Sequence, residues 1–431
     1  MVKAQQLKNG INVHLVPFAG TEAVTLLVLV KVGSRNESLP VWGGSHFIEH
    51  LMFKGTKKRP KTIDISRELD RYGAEYNAYT GKDLTGYYVK IDAQKAGVAV
   101  DLLHDMLFHS HYDAKEVTRE KKVIIEEIKM YEENPIMHVE DLLEEAMFDG
   151  HVLGRNIAGT AKSMMAMRRE DVLKYRDAYY IPSRMTIVMA GKVPKDAMQQ
   201  LERTFGKVKK GKAVANIEPF VGRVPTDIPI VRIQNKPLEQ MQVAIGFEAP
   251  GRGHEDMEAL KLLGVILGGT MSSRLFIEVR ERKALCYSVR ASIDAYEDMG
   301  IFSIRAGLDA SRLTLAMDVI MREIRKVVKD GVTADELAMA KDNIRGGMML
   351  RLEDSSDRAE YFGRQQIFFG EVSTPEERMK KFSAVTLADI KRVAAQVLDL
   401  RKMSIAAIGP YKNEREFLKH FPQVRKEKRR A

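Results

Sequence analysis

The stretch His46-Phe47-Ile48-Glu49-His50 decides how this 431-residue chain is read. As a helix it sets two imidazoles one turn apart with a carboxylate beside them, because residues three and four apart are neighbours on a helix surface. His46 and His50 then reach one ion, while Glu49 points at the water that the ion holds. That is the pattern of a catalytic zinc site with its own base. The chain has ten histidines in all, so the pairing is no by-product of a histidine-rich composition. A solvated or a packed pair of histidines is the competing reading.

Catalytic zinc usually takes three protein ligands and leaves one position for water, so a third donor is expected downstream. Arg119 to Tyr131 (REKKVIIEEIKMY) reads as an amphipathic helix stopped at Asn134 before Pro135. At about 100° per residue, Val123, Ile124, Met130 and Tyr131 gather on one side, and Glu120 and Glu127 fall within that stripe. Carboxylates on an apolar face are costly to bury without a cation or hydrogen bonds to meet them. The expected roles are therefore Glu127 as third ligand and Glu120 as a carboxylate that orients a ligand or the water. Glu126 stays open as the alternative ligand, and carboxylates at a solvated helix rim are the competing reading.

Length and composition describe a chain of more than one domain, since chains beyond about 250–300 residues usually split into separate cores. It is 45% hydrophobic and 30% charged. No apolar run approaches the ~20 residues that span a bilayer, and the opening MVKAQQLKNGINVHLV has no secretory pattern. The single cysteine, Cys286, leaves no internal disulfide and fits a reducing compartment, so the expected location is cytoplasmic, with no membrane partner. The net charge of +10 raises a nucleic-acid-binding reading. Against it, Lys and Arg are spread among carboxylates, the one dense run (Arg425 to Arg430) reads as a solvated tail, and no zinc-finger, P-loop or RNA motif accompanies it. His109-Ser110-His111 beside Asp113 is a minor metal candidate. His104 and His138 read as structural.

The chain repeats itself. Gly86 to Ile91 reads as a strand followed by helices from about Ala93 to His109 and from Glu120 to Tyr131. Gly300 to Arg305 is likewise followed by helices from Ser311 to Asp330, capped by Gly331, and from Ala334. Upstream, Val24 to Val32 matches Gln242 to Phe247. The expectation is an α+β fold of two tandem homologous domains, each an antiparallel-rich sheet with helices packed on one face. The N-terminal domain is 1–210, a Pro-bearing linker is 211–229, and the C-terminal domain is 230–431. Where the second copy of HFIEH is expected, the chain reads Gly268 to Leu275 (GGTMSSRL), without a metal ligand, so one zinc per chain follows.

These residues carry a resemblance. The run His46 to Thr56 (HFIEHLMFKGT), then Asn77-Ala78-Tyr79-Thr80, then VIIEEI resembles the pitrilysin, insulysin and mitochondrial processing peptidase family, whose H-x-x-E-H motif is that of the inverzincins. In that family the ligand glutamate follows the motif at the place where Glu127 stands. The resemblance implies that Arg280 and Tyr287, in VRERKALCYSV, hold substrate and stabilise the tetrahedral intermediate. Gly43-Gly44-Ser45 departs from the Gly-Leu-Ala-like approach usual before the motif, and Glu126-Glu127 is a doubled glutamate.

The resemblance further implies one half of a clam-shell peptidase chamber, completed by a second identical or paralogous chain; Arg280 and Tyr287 serve either their own chain's zinc or the facing one, and the chamber architecture favours the facing one. The expected activity is zinc-dependent endopeptidase cleavage of unfolded peptides. Glu49 acts as general base, and the substrate adds as an extra strand at Asn77, Ala78, Tyr79 and Thr80. The alternative is a non-catalytic or partner-dependent subunit of a heterodimeric processing peptidase.

Overall fold

The structure, a computed structural model, describes residues 3–212, 217–222 and 229–421. Its strands are β1 (Lys3–Gln6), β2 (Asn12–Pro17), β3 (Ala23–Val30), β4 (Glu75–Thr80), β5 (Thr85–Asp92), β6 (Met185–Gly191), β7 (Ile230–Asn235), β8 (Gln240–Pro250), β9 (Cys286–Ala295), β10 (Met299–Asp309) and β11 (Ser404–Gly409). They form a six-stranded sheet, β1-β2-β6-β3-β5-β4, and a five-stranded sheet, β7-β11-β8-β10-β9. Each has one parallel pair, β2 with β6 and β7 with β11. The other neighbours are antiparallel. Leaving out β1, the two orders superpose strand for strand. The repeat expected from Gly86–Ile91 and Gly300–Arg305 thus stands as β5 and β10, each beside the matching β3 or β8.

The strands of the two sheets lie on either side of 211–229 in sequence, but two helices pack on the sheet encoded on the other side of it. One compact unit comprises Met1–Lys129, Asn156–Ile217 and Met348–Thr374; the other comprises Met130–Arg155, Glu218–Gly347 and Pro375–Ala431. Helix Pro135–Met147, encoded before the linker, packs Val139, Leu143 and Met147 on Ala244, Ile301 and Ala406 of the second sheet. Helix Ser355–Phe369, encoded after it, packs Ala359 and Phe362 on Leu27, Leu29 and Val188 of the first. Glycine admits each visitor. A Cβ on Gly246 would lie 2.4 Å from Met147 Sδ, and one on Gly363 would lie 2.8 Å from Leu29 Cδ1.

Both faces of each sheet are therefore covered, not one as expected from sequence. The sign was in β3 itself, AVTLLVLV, which is apolar on both alternations as doubly covered strands are. Val24, Leu26, Val28 and Val30 point into the larger core and Leu27 and Leu29 into the smaller. That larger core positions the site. It receives Phe47, Ile48 and Leu51 from helix Gly44–Met52, and Val117, Ile124 and Ile128 from helix Ala114–Glu133.

Parts of the 211–229 segment (213–216 and 223–228) and the basic run 425–430 lie outside the described residues. Among the described residues no helix is long and apolar enough to cross a membrane. In element order, the second-copy counterpart of the HFIEH helix is Met257–Gly264 (MEALKLLG) and not Gly268–Leu275. Its carboxylate, Glu258, is paired with Arg378 at 2.7 Å. Among the described residues of this copy no three His, Cys, Asp or Glu side chains converge as potential ligands.

Candidate metal centre

HFIEH lies inside helix Gly44–Met52. Burying Phe47, Ile48 and Leu51 turns His46, Glu49 and His50 to the opposite side, the i, i+3, i+4 face. The helix starts at Gly43, whose φ of +92° is the left-handed region, and a Cβ there would meet Ala158 O at 2.6 Å. Of the Gly43-Gly44-Ser45 approach only Gly43 has to be glycine, since a Cβ at Gly44 would meet its nearest neighbour at an ordinary 3.5 Å.

Helix Ala114–Glu133 supplies the third donor. His46 Nε2 lies 3.8 Å and His50 Nε2 3.4 Å from one Glu127 oxygen, and the three ligand atoms lie within 4.8 Å of one another. Ligands about 2.0–2.2 Å from a tetrahedral zinc are separated by roughly 3.3 Å, so two imidazole nitrogens and a carboxylate oxygen at this spacing fit the ion in chemistry and in size. Glu126 points elsewhere, 2.8 Å from Lys129 Nζ and exposed. Among the described residues no other three His, Cys, Asp or Glu side chains converge in this way, which leaves out His109, His111 and Asp113.

Glu120 is buried. One oxygen lies 2.8 Å from His50 Nδ1 and the other 2.8 Å from Lys54 Nζ. Burial raises its carboxyl pKa, but His50 and Lys54 outweigh that and hold it below the ordinary value. Burial also depresses His50, yet its bonds to Glu120 and Glu127 lift it to about 9, while burial and the neighbouring His50 drive His46 down. Without metal these shifts favour the cationic form of His50 and the neutral form of His46, and the hydrogen bond from His50 chiefly holds Glu127 ionised.

The inward stripe of helix Ala114–Glu133 differs from expectation in two residues. Val117, Glu120, Ile124 and Ile128 are buried, whereas Val123 and Met130 are 46% and 56% exposed. The apolar stripe is centred on Ile124, and Val123 and Met130 fall past Glu127 on its solvent side at about 100° per residue.

Glu49 accepts a hydrogen bond from the Thr80 hydroxyl on β4. Burial raises its carboxyl pKa, and the Thr80 bond works against that. Of the four strand residues expected at substrate, Thr80 thus holds the base. Asn77 is exposed, with its Oδ1 accepting from Ala78 N at 2.9 Å. Ala78 is buried. Tyr79 turns to the other face, where its hydroxyl donates to Glu360 and Arg364 lies 5.5 Å from its ring. Gly86 makes room for that ring.

In the second unit Arg280 lies in the π-helical turn Phe276–Glu281. Its guanidinium is 4.7 Å from the Phe276 ring and 5.5 Å from that of Tyr287, which is 72% exposed on the edge strand β9. Burial pushes the adjacent Cys286 thiol up to about 11, against Arg280, so it is an inert packed thiol. Thr80 as holder of the base and Lys54 as partner of Glu120 were not legible beforehand. Both bonds join side chains whose proximity exists once β4 and helix Ala114–Glu133 are placed.

A family model described as insulinase (peptidase family M16) matches residues 15–161, and one described as the peptidase M16 inactive domain matches residues 166–344. The chain is 34% identical to an uncharacterized zinc protease of Bacillus subtilis, over 96% of this chain and 99% of that one. It is also 34% identical to an uncharacterized zinc protease of Mycobacterium tuberculosis, over 95% and 93%. Among solved structures, a protease from Helicobacter pylori superposes with a TM-score of 0.88 at 24% identity, covering 95% of this chain and 99% of the other. A putative M16-like peptidase from Alicyclobacillus acidocaldarius gives 0.83 at 21%, covering 95% and 98%. These two show the shared fold.

Proposed function

Since this chain belongs to the insulinase-type peptidase family M16, we propose that it is a zinc-dependent endopeptidase that hydrolyses unfolded peptides with Glu49 as general base. One observation carries the reading: His46, His50 and Glu127 converge to within 4.8 Å with Glu49 on the same helical face. Zinc held by these three would lower the pKa of a water and polarise the scissile carbonyl. Glu49 takes the proton of the attacking water and delivers it to the leaving amine. Thr80 fixes the oxygen not in use. Glu120 keeps the His50 proton on Nδ1, so Nε2 is the ligating atom.

Substrate binds as an added strand along β4. In support, β4 is a sheet edge, and the Ala78 N–H is satisfied by its neighbour's side chain, which an incoming carbonyl can replace. Tyr287 and Arg280 bind and polarise the reacting carbonyl, Tyr287 offering an exposed hydroxyl beside a fixed cation. The working form is a dimer, identical or with a paralogous chain, enclosing substrate as half-chambers, and its compartment is the cytoplasm, which one cysteine in the chain fits.

The test is cleavage of an unfolded peptide of about 20 residues by wild type and Glu49→Gln, each assayed for bound zinc; general-base loss costs about 10²–10⁴-fold. Zinc in both with cleavage by wild type alone supports the reading. Zinc in both with cleavage in neither points to a partner-dependent subunit, and zinc in neither sinks it.

A further inference from the structure

Glu37 is 5% exposed, and both its oxygens are spent on the start of the metal helix: Gly43 N donates to Oε2 and Ser45 N to Oε1, each at 2.7 Å. A helix begins with N–H groups that lack intrahelical acceptors, and a side chain at the capping position normally takes one. Here the capping position is Gly43, which has none to offer. A carboxylate from six residues upstream takes two, one of them from the residue directly before His46. Burial pushes the Glu37 carboxyl up to about 8, and the Ser45 and Gly43 amides and the charge of Lys82 act against it.

The segment holding Glu37 is itself tied down. Ser34 N donates to Gly81 O at 3.1 Å and Arg35 N to Lys82 O at 3.0 Å, which clamps it to the turn directly after Thr80. Tyr175 adds a second strut, its hydroxyl 3.0 Å from Ser45 Oγ and donating to Gly33 O at 3.2 Å. The segment Gly33 to Glu37 therefore joins the two places that aim the chemistry, the start of the His46–Glu49–His50 helix and the end of the strand whose Thr80 holds Glu49.

We infer that Glu37 is a positioning residue of the metal site, whose two-point cap sets the axial position and rotation of the helix so that His46, Glu49 and His50 converge with Glu127 and Thr80. A helix turns about 100° per residue, so slight unwinding at Ser45 swings His46 away from Glu127. This inference rests on the zinc peptidase reading.

It is tested in the full chain with Glu37→Gln, which keeps the size but offers one acceptor oxygen, and with Glu37→Asp, which keeps both carboxyl oxygens but shortens the reach. Far-UV circular dichroism and Tm report folding; chelator competition reports zinc Kd; the visible spectrum of the cobalt-substituted protein reports ligand geometry; kcat and KM are measured at saturating zinc. For folded variants the expected result is a changed cobalt spectrum, a zinc Kd raised roughly 10–100-fold, and a kcat lowered at least about tenfold with little change in KM. A purely structural role would lower Tm and leave the cobalt spectrum and kcat of the folded protein unmoved. That result in either variant overturns the inference, and Glu37→Asp serves if Glu37→Gln does not fold. Wild type that neither binds zinc nor cleaves peptide overturns the peptidase reading instead.

Discussion

The ring Nδ1 of His50 lies 2.8 Å from a Glu120 oxygen whose partner oxygen is 2.8 Å from Lys54 Nζ. The contact holds a proton on Nδ1, so that Nε2, which faces Glu127 at 3.4 Å, is the nitrogen that gives up its proton to become a ligand. Glu120→Gln keeps the shape and removes the charge. Zinc affinity is expected to fall about 10–100-fold, as when outer partners of metal histidines are altered. Chelator competition measures it, and an unchanged Kd would remove Glu120 from the site.

Glu126 and Glu127 are told apart by the same assay. Glu127→Gln should lose zinc and activity together, because it removes one of three protein ligands. Glu126→Gln breaks an exposed pair with Lys129, and its stability should change by less than about 0.5 kcal/mol. Metal retained in Glu127→Gln and lost in Glu126→Gln would reverse the assignment.

The legible parts of this chain are those set by local spacing. The H-x-x-E-H face, the Glu120 and Glu127 pair two turns apart, and the strand-helix-helix repeat follow from periodicity within 10–20 residues, about the reach of one element. Helices Pro135–Met147 and Ser355–Phe369 were misassigned, because which sheet a helix covers depends on long-range packing at glycines such as Gly246 and Gly363 that local periodicity does not encode. The same holds within the site. Thr80 was placed on the right strand, but its bond to Glu49 needs the register of β4 against the metal helix.

Gly86→Ala tests the placement of Tyr79. A Cβ at Gly86 would lie 2.3 Å from Tyr79 Cζ, so the ring must leave its position beneath helix Ser355–Phe369 and give up Glu360. Overpacking of this kind costs about 1–3 kcal/mol. Urea unfolding should show that loss in the wild-type background and much less of it in a Tyr79→Ala background, because the two sites share one space. Equal losses in both backgrounds would mean that the ring lies elsewhere.

His104 gives the fold an acid-sensitive element remote in sequence from the metal ligands. It packs against Phe108 and Phe205, with ring centroids 5.5 Å and 5.3 Å away. Burial, then the charge of His109 and to a lesser degree Lys58, bring its pKa from 6.5 to about 4, with Asp101 and Asp105 opposing. A histidine depressed in the folded state favours folding while neutral. Its contribution is complete above pH 6.5, the unfolded value, and is lost as pH falls through 6.5 toward 4. Part of the ring is solvated, which screens the effect, so the loss is about 1–2 kcal/mol and not the full value of the shift. His104→Leu cannot gain that proton. The wild-type minus variant difference in unfolding free energy, measured in urea at pH 7.5 and at 4.5, should therefore move against wild type by that amount at the lower pH. A difference that stays constant between the two would show that His104 titrates alike in the folded and unfolded chain.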